Sequence, residues 1–218
     1  MNRNGLLFKF LYLTVFAVAM AFSEASVVVY LRAIFRPEGF QFPMQAMTDF
    51  KITVEVFREA ATIFMLLSVA FLAGKGRWER SAYFMFSFSV WDIFYYVWLK
   101  VLLDWPASIF DWDILFLIPH PWIAPVIAPV SVSILMMTSG VLIAWLLHKG
   151  YGFKPEFLSY IFAASGTALL LYSFMHDTGA ALRRQMPEPY RYELLIAGDA
   201  LLVAAFLAPY LKIVRQKG

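Results

Sequence analysis

Six apolar runs, each near the length of a bilayer crossing, constrain this chain more than any motif in it. They lie near 6–30, 52–73, 82–103, 123–147, 157–176 and 192–213. A helix rising about 1.5 Å per residue needs roughly 20 residues to cross about 30 Å of hydrocarbon. In lipid every backbone amide must find its partner within the protein, so the runs are predicted as helices. The expected fold class is an all-α, polytopic transmembrane helix bundle of about six spans. No Gly/Ser linker, low-complexity tract or inserted soluble segment divides it, so residues 1–218 read as one membrane domain.

Composition agrees with that solvent. Hydrophobic residues are 61% of the chain and charged residues 15%, against about 45–50% and about 25% in soluble domains. The net charge of +3 comes from residues at the ends of the runs, not from a basic stripe, so nucleic acid is not an expected partner. The lipid bilayer is. The absence of Cys removes disulfides, thiolate metal sites and cysteine nucleophiles. The first run follows Arg3 and Lys9 like a secretory signal, but it continues through Val27, Val28 and Val29, which favours a retained helix over a cleaved one.

Basic residues in the connectors give an orientation. With the N-terminus cytoplasmic, that side holds Arg3, Lys9, Lys75, Arg77, Arg80, Lys149, Lys154, Lys212, Arg215 and Lys217. The other side holds Arg32, Arg36, Lys51, Arg183, Arg184 and Arg191. Both termini are therefore expected in the cytoplasm. The connector from Asp104 to Trp122, which carries acids and no Lys or Arg, falls outside, and Trp98, Trp105, Trp112 and Trp122 would form an outer aromatic belt.

The spans carry ionisable residues at related depths. Glu24, Glu59 and Asp199 lie roughly 10–14 Å in from the outer ends, at about 1.5 Å per residue. Asp92 lies somewhat deeper, whereas Glu55, Arg58, Glu193 and the His176–Asp177 pair are shallower. Helical spacing groups them into stripes: Glu55, Arg58, Glu59 and Thr62 on the second run, Ser89, Asp92 and Tyr96 on the third, Tyr172 and His176 on the fifth, Tyr192 and Asp199 on the sixth. A charge at mid-span costs about 2.5–3.5 kcal/mol even on the lenient insertion scale. Glu24, Glu55, Glu59, Asp92 and Asp199 face only Arg58 as an in-span cation, so protons or a bound cation must supply the balance. These acids are expected to face one interior cavity.

Pro121, Pro125 and Pro129 recur every four residues at the start of the fourth run. That spacing predicts either a kinked helix satisfied by neighbouring hydroxyls or a broken one whose free carbonyls line a polar cavity. Ala17, Ala21 and Ala25, and Ala200, Ala204 and Ala208, are spaced for close helix packing. The Phe-rich third run needs no cofactor to explain it. His176, with Asp177 adjacent and Tyr172 one turn back, is a candidate metal ligand or proton relay. His120 sits in an interfacial Pro-His-Pro turn at similar depth, so bis-histidine haem would have to use these two. His148 suits the charge at a helix C-terminus. No zinc-protease, nucleophile-elbow or phosphate-loop motif is present.

Val27–Arg32 (VVVYLR), Arg58–Ile63 (REAATI), Trp91–Leu99 (WDIFYYVWL) and Leu115–Trp122 (LFLIPHPW) resemble an uncharacterised family of bacterial polytopic inner-membrane proteins. The resemblance covers most of the chain. It implies a bacterial inner membrane and brings no activity, cofactor or catalytic residue. Three functions therefore stay open: proton or cation handling at the outer acids; a metal- or haem-dependent membrane enzyme or redox subunit, with His176, Glu59 and Asp92 as ligands; and a noncatalytic subunit whose acids meet partner helices, in a larger complex or a homo-oligomer.

Overall fold

A computed structural model describes residues 3–35, 49–118, 120–179 and 187–215. Arg36, Pro119, Arg183, Arg184 and Lys217 lie outside them. The chain forms α1 (Arg3–Phe35), α2 (Asp49–Ala73), α3 (Arg77–Leu103), β1 (Trp112–Phe116), β2 (Trp122–Pro125), α4 (Ile127–His148), α5 (Phe157–Met175) and α6 (Tyr192–Arg215). Each helix contains a stretch long and apolar enough to cross a membrane, six in all among the described residues. The protein is an all-helical, multi-pass membrane protein with one small hairpin.

α3 is the hub, packed against α1, α2 and α4. Its own residues explain this. Ala82, Ser87 and Ser89 are fully buried and let neighbours approach, while Tyr83 and Phe86 fill the space beside them. The Phe10 and Phe86 rings meet edge to face at 4.7 Å. Trp98 Nε1 donates to the Val18 carbonyl of α1 over 3.1 Å, which ties its indole to the neighbouring helix. α5 and α6 pack mainly on each other, and α6 also touches α4.

The small residues divide unevenly. Ala17, Ala21 and Ala25 of α1 are fully buried, as their spacing predicts. On α6 the expectation fails, because Ala200 and Ala208 are exposed. Glycine makes that contact instead: a Cβ on Gly198 would come within 2.7 Å of Leu170 Cγ, and one on Gly166 within 2.9 Å of the Gly198 carbonyl. Only a residue without Cβ allows that approach.

The connector between α3 and α4 holds the main departure from the sequence-based fold. β1 and β2 pair antiparallel, with Trp112 opposite Pro125, Ile114 opposite Ile123 and Phe116 opposite Trp122, and a register shift between Ile114 and Phe116. The fourth helix therefore starts at Ile127, four residues later than the predicted Ile123. Neither the kinked nor the broken helix forms. Pro125 ends a strand, and Pro129 is in the first helical turn, where its missing amide leaves no bond unmade. The backbone groups at this junction are satisfied from elsewhere: Val126 N–H donates to Asp111 O at 3.0 Å and Ile127 N–H to Ile109 O at 2.8 Å. The Pro121 carbonyl accepts the Thr178 hydroxyl at 2.9 Å.

Gly140 on α4 tests the α3–α4 contact, since a Cβ there would lie 2.6 Å from the Ala82 carbonyl oxygen. Gly140→Ala should cost about 1–3 kcal/mol through forced separation of the two backbones. Gly76→Ala, where a Cβ meets nothing within 4 Å, is the control. Detergent melting of the two variants would expose the difference, and equal melting would mean that the contact is not limiting.

Candidate functional site

Between the helices lies a cavity of about 630 Å³ that collects five of the six residues expected at the cation or proton site. Glu24, Glu55, Arg58, Glu59 and Asp92 all line it. The stripe on α2 explains three of them, because residues at i, i+3 and i+4 share one helical face. Glu24 arrives from α1 and Asp92 from α3.

The contacts form one network. Arg58 Nε donates to Glu55 Oε2 at 2.7 Å, and its other nitrogens pair with Glu55 and, across the helix interface, with Glu24. Thr62 Oγ1 donates to Glu24 from the same stripe. Glu59 accepts the Leu117 N–H with both oxygens, at 2.9 and 3.1 Å, which ties α2 to the segment after β1. Asp92 Oδ2 accepts the Ser133 hydroxyl of α4 at 2.8 Å. Glu24, Glu55 and Glu59 are each no more than 9% exposed.

Three lining residues escaped the sequence reading, Arg32, Tyr95 and Asp113, whereas Tyr96 stands on the polar stripe expected for the third run. Tyr96 OH donates to Asp113 Oδ2 at 3.1 Å. Tyr95 lies within electrostatic range of Arg32, Arg58, Asp92 and Asp113, which makes them one site. Arg32, expected as an outer-loop charge, continues α1 two turns beyond Glu24 and places its guanidinium 4.3 Å from the Trp105 ring centre. Its spacing of eight from Glu24 was the available signal. Asp113 follows no helical periodicity, because it belongs to a strand.

The remaining candidates stand apart. Asp199 does not line the cavity; it sits beside Ser131 on the α4–α6 side. The shared-cavity expectation is corrected there, because the α6 face turned toward the cavity is that of Leu202. His176 caps α5, its ring 5.7 Å from that of Tyr172, while Asp177 accepts the Glu188 N–H at 2.7 Å. His120 is exposed. None of these five, Tyr172 included, lines the cavity, and among the described residues no three His, Asp or Glu side chains are grouped to hold a metal ion. The ligand set of His176, Glu59 and Asp92 is not brought together.

Charge around the cavity is unequal. Glu24, Glu55, Glu59, Asp92 and Asp113 face Arg32 and Arg58, five acids to two guanidiniums. No protein-family model, no curated protein and no solved structure matches the chain. The site must therefore be read from its own chemistry.

Two expectations follow from this network. Arg58→Gln strips the counterion from Glu24 and Glu55 and should cost about 3 kcal/mol, as breaking a buried pair does; Arg215→Gln should be neutral. Indistinguishable melting curves for Arg58→Gln and wild type would contradict the network. Asp113 offers a pH test. Burial pushes its carboxyl up from 3.8 to about 6, against the opposing pull of Arg32, the Tyr96 hydroxyl and the Ile114 N–H. The folded protein binds this proton more tightly than the unfolded chain, so the stabilisation is complete below the ordinary Asp value and is lost as pH rises through about 6. Raising pH from about 4 to about 7 should cost wild type about 2 kcal/mol more than Asp113→Asn, at about 1.4 kcal/mol per unit and with the unfolded carboxyl already about half ionised at the lower pH. Parallel pH profiles would remove this role.

Proposed function

We propose that this chain is a proton- or cation-handling protein of a bacterial inner membrane, with both termini cytoplasmic and the hairpin outside. The observation that carries the reading is the inequality at the cavity, five acids to two arginines. Carboxylates buried among membrane helices stay folded there only if protons or a positive ligand make up the difference. Arg58 compensates Glu24 and Glu55, and Arg32 faces Asp113. Among the described residues, Glu59 and Asp92 take their direct hydrogen bonds from neutral donors, the Leu117 amide and the Ser133 hydroxyl, with Arg58 acting on Glu59 from beyond contact. They are the groups that exchange protons or meet a cation.

The alternatives draw less support. A metal or haem centre would need histidines that do not line the cavity. A subunit that meets partner helices through these acids would present them to lipid, whereas Glu24, Glu55 and Glu59 are buried inside the bundle.

Proteoliposomes loaded with a pH-sensitive dye test the proposal. An imposed cation gradient should drive a proton flux in wild type, reduced at least tenfold in Asp92→Asn and Glu59→Gln and kept in Arg215→Gln. Flux equal to that of protein-free liposomes, or equal in all variants, would reject it.

A further inference from the structure

The cavity is much larger than a proton or a metal ion requires. From Asp92 it follows α3 down to Phe84, eight residues or about 12 Å along the helix. The acids occupy its hairpin end, and its deeper wall is apolar, formed by Phe84, Phe88 and Met136 with Leu170 and Leu202 facing them. Its volume of about 630 Å³ lies inside the range of about 300–1,000 Å³ typical of organic-ligand sites.

A second, independent observation concerns the rings between the two ends. Trp91, Phe116, Trp122 and Phe174 follow one another with centroid separations of 6.3, 5.4 and 6.1 Å, a band from α3 through the hairpin to α5. All four line the cavity. The indole N–H groups of Trp91 and Trp122 are buried without a hydrogen-bond acceptor among the described residues, and Trp91 is only 7% exposed. A buried donor left unmade costs about 1–3 kcal/mol. Two such donors beside a cavity mark the place of an acceptor that the protein does not supply.

We infer that the cavity binds an amphiphilic organic cation: a cationic head at Glu59 and Asp92, an oxygen acceptor near that head at the Trp91 and Trp122 indoles, and an apolar chain on Phe84, Phe88 and Leu170. The inference rests on the cation-handling reading and names its ligand class. Among the described residues, Glu59 and Asp92 are lining acids that make no direct ion pair with an arginine, Arg58 acting on Glu59 only at longer range. A small inorganic cation would leave the apolar wall and both indoles unused, and an anionic or neutral lipid would leave the acids uncompensated.

Three probes separate these parts, using the full chain in lipid nanodiscs with tryptophan emission and melting as readouts. Lauroylcholine carries charge, ester oxygen and chain; acetylcholine lacks the chain; monolaurin lacks the charge. Lauroylcholine should half-saturate at a concentration at least tenfold lower than either of the others. Glu59→Gln, whose amide oxygen still accepts the Leu117 N–H, and Asp92→Asn should each weaken it at least tenfold without changing monolaurin. Met136→Trp, which narrows the apolar end, should weaken lauroylcholine and leave acetylcholine unchanged. If monolaurin matches lauroylcholine, the inference is overturned. If acetylcholine matches lauroylcholine while the acid variants still abolish proton flux, the amphiphile fails and cation handling stands. If the acid variants alter neither binding nor flux, both fall.

Discussion

Everything at the hairpin end of this bundle depends on how Arg58 is neutralised. In a medium that cannot solvate ions, a guanidinium is stable only with carboxylates in contact, and Arg58 has two, Glu55 on its own helix and Glu24 on α1. The Glu24 contact also has a mechanical consequence. α1 and α2 touch at few places and both lean on α3, so the charge pair and the Thr62 hydroxyl bond provide much of what joins them. One arginine thus fixes the electrostatics of the cavity and the relation of two of its walls.

The hairpin completes the site by the same logic. Polar groups of the connector are satisfied within the bundle by carboxylates and loop carbonyls. Leu117 donates to Glu59, and Asp113 takes the Tyr96 hydroxyl. Two of the five acids therefore hold the connector down on α2 and α3. A proton gained at either would change both the charge of the cavity and a hydrogen bond that holds the connector.

Much of this was legible in the chain because membranes impose simple rules. Length and apolarity predict the six helices, and helical spacing predicts that Glu55, Arg58, Glu59 and Thr62 share a face. What was not legible has a different physical origin. Asp113 and the shortened α4 depend on a two-stranded pairing set by contacts between residues about ten apart, and proline periodicity imitates a helix there. Asp199 has the right depth but the wrong azimuth, since rotation about the helix axis is decided by packing. On α6 that packing centres on Gly198 and Gly166, not on the regular alanines that drew attention. Arg32 was readable at eight residues from Glu24, but treating it as a loop charge hid it.

The opposite end of the bundle sharpens the meaning of the unequal charge. There Lys9 meets Glu79 at 2.9 Å, and Tyr83 OH and the Lys75 N–H donate to the same carboxylate. One cation faces one acid, so that cluster asks for no ligand. Between the two clusters, α1 presents Leu13, Ala17 and Ala21 and α3 presents Phe86 and Val90, all buried against one another. A solute held by Glu59 and Asp92 would meet packed side chains in that direction, at native density and without a polar foothold. Movement onward would require α1 and α3 to separate, and their contact includes the Trp98 bond to the Val18 carbonyl. The geometry is therefore that of a cavity with unequal charge at its hairpin end and tightly packed apolar side chains where α1 meets α3.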